Sequence, residues 1–131
     1  MAADATVSGF KTGPFSSKDR IRARSEYQAI YRACAPIYTA RLVFYARPAV
    51  AGVRRLGCTI PKKTGCAVER NRLRRLIREV FRLERSALPD GCDLVVNAKR
   101  GASDLDYGSV REAFLKVCAR LAQEGFLSCV R

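Results

Sequence analysis

The chain has no histidine, and its six cysteines include no Cys-x-x-Cys pair. Without histidine, a serine or cysteine nucleophile lacks its usual base. Without paired cysteines, the common zinc-ligand spacings cannot be written. Acidic residues are few, 12 Asp and Glu against 25 Lys and Arg, and they are scattered. The clustered carboxylates of a protein-based metal nuclease are therefore missing, and Asp104 and Asp106 read as helix-start residues. No stretch approaches the length of a membrane span. Residues 1–13 have neither the basic nor the apolar region of a secretory signal, so the expected compartment is the cytoplasm. There, Cys34, Cys58, Cys66, Cys92, Cys118 and Cys129 are expected as free thiols, several of them packed as small apolar core residues.

Positive charge is abundant. The net charge is +13 and the pI is near 10.1, far beyond what solubility requires, which implies a polyanionic partner. The charge is also clustered: residues 54–85 hold eleven Lys or Arg against three Glu. Arginine outnumbers lysine nineteen to six. Guanidinium forks bind phosphates bidentately and stack on bases, so the bias suits RNA.

With 131 residues and 48% hydrophobic content, the chain can build one domain with one modest core. Residues 1–14 read as a tail and residues 125–131 as a second, leaving a domain over residues 15–124. A first helix is expected over residues 25–33, with Ser25 and Gln28 forming a capping box and Pro36 preventing continuation. Residues 39–47 read as a strand, with Leu42, Phe44 and Ala46 on one face and Arg41, Val43, Tyr45 and Arg47 on the other. A second strand is expected over residues 54–60. A long helix over residues 68–86 follows, with Leu73, Leu76, Ile77, Val80 and Phe81 as its buried stripe. Asn71, Arg74, Arg75, Arg78, Arg82 and Arg85 fall on its opposite arc. A third strand spans residues 93–98. A last helix spans residues 105–124, capped by Ser103 or Asp104 and stopped by Gly125. Its stripe is Val110, Phe114, Val117, Cys118 and Leu121. The order αββαβα makes an α+β sandwich, a small sheet covered by helices.

Three features could carry function. The long helix packs seven arginines between positions 69 and 85. Like charges at i,i+4 (Arg70, Arg74, Arg78, Arg82) weaken a helix by a few tenths of a kcal/mol per pair, a cost that a polyanion would offset. Asn71 amid them could hold a phosphate, a base edge or a metal-bound water, or could be a plain surface residue. Lys62-Lys63-Thr64-Gly65 before the helix lets backbone and ammonium groups approach a phosphate, though it is also an ordinary polar loop. Phe15, Tyr27, Tyr31 and Tyr45, interleaved with Arg41 and Arg47, could stack single-stranded bases. On composition alone these aromatics are more simply core or rim residues.

The order Lys62-Lys63, Gly65, Ala67, Arg70-Asn71-Arg72, Arg74-Arg75, Arg78-Glu79 and Phe81-Arg82 resembles the signature of the protein subunit of bacterial ribonuclease P. Leu56-Gly57, Asp93-Leu94-Val95-Val96, Ala98-Lys99-Arg100-Gly101 and Asp104-Leu105-Asp106 extend the resemblance over residues 15–121. Pro61 and Cys66 depart from the family pattern. The resemblance implies a ribonucleoprotein that removes the 5′ leader from precursor tRNA by Mg2+-dependent hydrolysis, with the metal held mainly by the RNA and no catalytic residue or metal site on the protein. It implies that Lys62, Lys63, Arg70, Asn71, Arg72, Arg74, Arg75 and Arg78 face the catalytic RNA. Phe15, Tyr27, Tyr31, Arg41 and Tyr45 would line the cleft for the single-stranded leader. It also implies a left-handed βαβ crossover around the arginine helix, as in the second domain of ribosomal protein S5, where general rules would give a right-handed one. A structural or ribosomal RNA-binding protein is the alternative.

Overall fold

The computed structural model describes residues 17–39 and 41–125. Three helices, α1 (Arg24–Ala33), α2 (Ala67–Glu84) and α3 (Tyr107–Glu124), surround four strands. The strands are β1 (Ile37–Tyr38), β2 (Leu42–Pro48), β3 (Arg54–Thr59) and β4 (Cys92–Ala98). They form one sheet in the order β1-β2-β4-β3. β1 pairs with β2, and β2 with β4, antiparallel, whereas β3 and β4 run parallel. A parallel neighbour needs a crossover, and α2 supplies it. The α+β sandwich is as expected, with β1 as an added two-residue strand.

Strand alternation decides which helix each face receives. Leu42, Phe44 and Ala46 of β2, Leu56 of β3, and Leu94, Val96 and Ala98 of β4 pack with Leu73, Ile77, Val80 and Phe81 of α2. Val110, Phe114, Val117, Cys118 and Leu121 of α3 join the same core. Phe81 and Phe114 meet edge-to-face at 6.3 Å between centroids at its centre. On the opposite face Val95 packs with Ile21, Ile30 and Cys34, and with Tyr27, Tyr31 and Tyr45 around them. Each face of β4 is therefore dry at its middle, while the cover given by the short α1 is partial.

The helix starts differ from the sequence expectation in two places. Ala23 is the N-cap of α1, with no side-chain capping bond, and Ser25 lies inside the first turn. Glu26, also in that turn, spends its carboxylate on Arg55 at 2.7 Å. The α3 cap is Asp106, whose side chain accepts from the Ser109 N–H at 2.8 Å. Ser103 and Asp104 instead belong to a single 3-10 turn, Ala102–Asp104. Gly125 stops α3 at φ 65°, a left-handed angle that glycine adopts without strain. At the other end of α2 the backbone tightens into a 3-10 turn, Arg85–Ala87. That turn breaks the 100° progression and carries Arg85 inward. Arg85 is buried, pairs with Asp19 at 3.2 Å and lies over the Phe81 ring, so it leaves the polar arc.

Asp93 is the buried charge of the α1 side. It receives Arg47 at 2.7 Å, and Arg55 through two bonds of 2.9 and 2.8 Å. Arg55 also reaches Glu26 of α1. The chain Glu26–Arg55–Asp93–Arg47 ties α1 to three strands. Burial raises the Asp93 pKa, but the bonds from Arg55 and Arg47 outweigh it and hold the carboxyl below its ordinary value.

Candidate nucleic-acid interface

The arginine helix begins after a single 3-10 turn, Lys62–Thr64, which follows extended Pro61. Both lysines are exposed on it. A Cβ at Gly65 would lie 2.6 Å from Glu69 Oε1, so a side chain there would displace that carboxylate. Glu69 turns back to accept from the Cys66 N–H at 3.0 Å, a bond that lowers its pKa. Cys66 is therefore the N-cap, and neither it nor Pro61 disturbs the entry to α2.

The signature side chains divide by direction. Arg70 folds back to the Gly65 carbonyl at 3.1 Å. Arg72 donates to the Ser103 carbonyl at 3.1 Å and so ties α2 to the turn before α3. Asn71 is exposed, and its Oδ1 accepts from Arg74 at 2.9 Å, which positions that guanidinium. Arg75 is exposed on the same helix. Arg78 is half-buried, and its pKa is lowered, first by burial and then by the charges of Arg20 and Arg74. Cations crowded enough to weaken each other's proton affinity form a site that a phosphate would relieve. Arg82, by contrast, is matched by Glu79 at 2.6 Å.

On the other side of the sheet, α1 lays its tyrosines against the strands. Tyr31 and Tyr45 meet edge-to-face with centroids 5.0 Å apart, and Tyr27 lies 6.4 Å from Tyr31. The Tyr27 hydroxyl donates to the Ile21 carbonyl at 3.1 Å. Its ring rests on Gly57, where a Cβ would come within 2.7 Å of the hydroxyl oxygen and 2.9 Å of the ring. Tyr31 reaches across to Thr59 at 2.9 Å and Asn97 at 2.8 Å. Phe15 lies outside the described residues. Arg41 is not brought to the tyrosines. Its guanidinium bonds the Gly101 carbonyl at 3.1 Å and lies 4.0 Å from Asp104, beside the start of α3.

The two surfaces meet at the free edge of β3. Arg20 bridges to Leu56, and the Ile21 N–H donates to the Leu56 carbonyl at 3.0 Å, so the segment before α1 closes that edge. Arg20, Tyr27, Cys58, Arg74 and Arg78 line one small cavity there. Burial pushes the Cys58 thiol up to about 11, so Cys58 is a neutral wall of it. Arg20, Thr59 and Asn97 were not singled out by sequence reasoning. Thr59 and Asn97 could have been found from strand alternation once the register was known, but Arg20 belongs to no motif. A further aromatic, Tyr38, is 67% exposed on edge strand β1, with Lys99 Nζ 5.2 Å from its ring centroid.

Among the described residues no three His, Cys, Asp or Glu side chains gather as a metal site would require. No helix there is long and apolar enough to cross a membrane. The five described cysteines are free thiols, with Cys34, Cys92 and Cys118 buried, while Cys129 lies outside the described residues.

Comparison with known proteins gives the same answer as the signature. The family model for Ribonuclease P matches residues 15–122. The Ribonuclease P protein component of Desulfovibrio desulfuricans is 39% identical over 108 residues, covering 79% of this chain and 83% of the relative. That of Finegoldia magna is 33% identical over 105 residues, covering 80% and 92%. Among solved structures, the RNase P protein from Thermotoga maritima superposes with a TM-score of 0.70 at 30% identity, covering 77% of this chain and 96% of that one. The chain belongs to the ribonuclease P protein family, the accessory protein subunits of the ribonucleoprotein endonuclease that matures the 5′ end of tRNA.

Proposed function

We propose that the two surfaces divide the work of the holoenzyme. The lysine turn and the outer face of α2 (Lys62, Lys63, Arg70, Asn71, Arg72, Arg74, Arg75, Arg78) bind the catalytic RNA. The cleft under α1, floored by Tyr31 and Tyr45 and walled by Tyr27, holds the single-stranded 5′ leader of precursor tRNA. Holding the leader strengthens substrate recognition and broadens it to precursors that the RNA alone binds poorly. Arg41 belongs to the rim of this assembly beside α3 rather than to the tyrosine floor. The catalytic groups and the Mg2+ ions belong to the RNA, and the complex works in the cytoplasm.

The observation that carries this reading is the shared wall at β3. Tyr27 and Arg78 line one cavity, so an RNA on the arginine helix and a strand in the cleft would be neighbours. Aromatic stacking contributes about 1–3 kcal/mol per base whatever the base, which suits leaders of varied sequence.

The test is reconstitution. Purified chain is mixed with precursor tRNA at low Mg2+, with and without the catalytic RNA. The expected result is no cleavage by protein alone and strong stimulation of the RNA. Cleavage by the protein alone would sink the proposal, as would failure to stimulate. Tyr31→Ala is expected to weaken binding of leader-bearing precursor more than of mature tRNA; equal loss for both removes the cleft assignment.

A further inference from the structure

We infer that Arg72 is a positioning residue of the arginine surface: it holds the turn before α3 against the lysine turn and does not itself pair with a phosphate. The inference rests on the reading of that surface given above and refines the part that one of its residues plays.

Helix geometry sets Arg72 apart from the arginines around it. At about 100° per residue, Arg74, Arg75 and Arg78 fall within about 60° of Asn71, whereas Arg72 lies about 100° away. It stands next to Leu76, which is partly buried against the core. Its guanidinium donates to the Ser103 carbonyl at 3.1 Å, across to the turn Ala102–Asp104.

The charge around it also differs. Arg78 is crowded by the cations Arg20 and Arg74. Arg72 instead faces carboxylates. Asp106, the α3 cap, is held below its ordinary pKa first by its bonds from Ser109 and further by the Arg72 charge. Glu69 is held low first by its bonds from Cys66 and again by Arg72. One guanidinium beside two carboxylates leaves no positive excess there for a polyanion, and a phosphate would be repelled by both acids.

What Arg72 holds is part of the same basic surface. β3 and β4 are parallel, with Thr59 opposite Asn97, so the lysine turn and Lys99-Arg100 leave the sheet at one end. The two turns touch: a Cβ at Gly65 would lie 3.3 Å from the Ser103 Cβ. Lys62, Lys63 and Arg100 are exposed on them. Arg41, at the start of β2, holds the second turn through the Gly101 carbonyl and Asp104. Arg72 holds it through Ser103. Within the turn the Leu105 N–H donates to the Ala102 carbonyl at 3.0 Å and the Asp104 N–H to Gly101 at 3.4 Å. Those amides report whether the turn is closed.

The experiment compares Arg72→Ala with Arg74→Ala in two measurements on the full chain. In the free protein, amide exchange at Leu105 is expected to speed by about 2- to 12-fold in Arg72→Ala, the worth of one hydrogen bond, and to stay unchanged in Arg74→Ala. Dissociation constants for the bacterial catalytic RNA are then measured over a salt series. Arg72→Ala is expected to weaken binding by about 2- to 12-fold at every salt concentration with the log–log slope unchanged. Arg74→Ala is expected to lower the slope by about 0.7–0.9, as one lost phosphate contact does. The inference is overturned if Arg72→Ala lowers the slope as Arg74→Ala does, if it leaves affinity unchanged, or if Leu105 exchange does not change. If Arg74→Ala alters neither affinity nor slope, the reading of the arginine surface falls, and the inference with it.

Discussion

Asp93→Asn tests whether the buried charge chain holds α1 on the sheet. The substitution keeps the shape and removes the charge, leaving Arg47 and Arg55 facing a neutral amide. Removing one partner of a buried pair costs about 3–5 kcal/mol. The Asp93 side chain is 2% exposed, but Arg47 and Arg55 retain 27% and 24% exposure, so water recovers part of the loss. A loss of about 2–3 kcal/mol follows, or roughly 10–20 °C in thermal midpoint for a domain of this size. The sign with pH is definite. The folded Asp93 pKa lies below its unfolded value of about 3.9. Its stabilisation is therefore fully present above pH ~4 and is lost as pH falls through the folded pKa. Urea unfolding of both proteins should give the widest gap at neutral pH and a narrower one near pH ~3. Arg55 also anchors Glu26, so leader affinity should fall with stability in the variant. A variant as stable as the parent at neutral pH, or a gap unchanged in acid, would refute the reasoning.

Three further outcomes are expected. Gly57→Ala places a methyl within 2.7 Å of the Tyr27 hydroxyl oxygen, and overpacking of this kind costs about 1–3 kcal/mol, read as a lower thermal midpoint; an unchanged midpoint would show that the ring yields freely. Arg74→Ala should weaken affinity for the catalytic RNA and reduce the log–log salt slope by about 0.7–0.9, and a constant slope would remove the phosphate contact. Iodoacetamide at mildly alkaline pH should label exposed Cys66 well before partly buried Cys58, whose thiol is held up to about 11, until denaturant equalises them; equal rates in the folded protein would contradict the raised thiol of Cys58.

The elements with long apolar stripes were legible in the sequence because burial alone sets their period. Of the α2 stripe, Leu73, Ile77, Val80 and Phe81 are buried and Leu76 is partly buried against the same core, and the five stripe residues of α3 are all buried. The signature also located the arginine surface. What spacing could not supply was pairing between distant segments. β1 has two residues, and its pairing with β2 sets its position. Arg20 closes the β3 edge through backbone bonds that carry no side-chain pattern. Arg41 sits on the tyrosine side by alternation, yet lies before the first strand residue, where Gly101 and Asp104 claim it. Ser25 looked like a cap because its chemistry is right, but the chain turns into the helix at Ala23.

Strand β3 has a consequence of its own. Gly57 and Thr59 lie beneath the tyrosines, and only Ile60 and Pro61 separate the strand from the lysine turn. At about 3.3 Å per extended residue, the Thr59 and Lys62 positions are roughly 10 Å apart. Proline keeps that link stiff, and the parallel pairing with β4 fixes the strand as far as Thr59. The strand thus acts as a spacer bar of fixed length between two grips. A residue inserted between Thr59 and Lys62 would leave each grip intact and change only the distance between them. Under the proposed division of the two surfaces, the catalytic RNA and the leader would be kept in register by a ruler a few residues long.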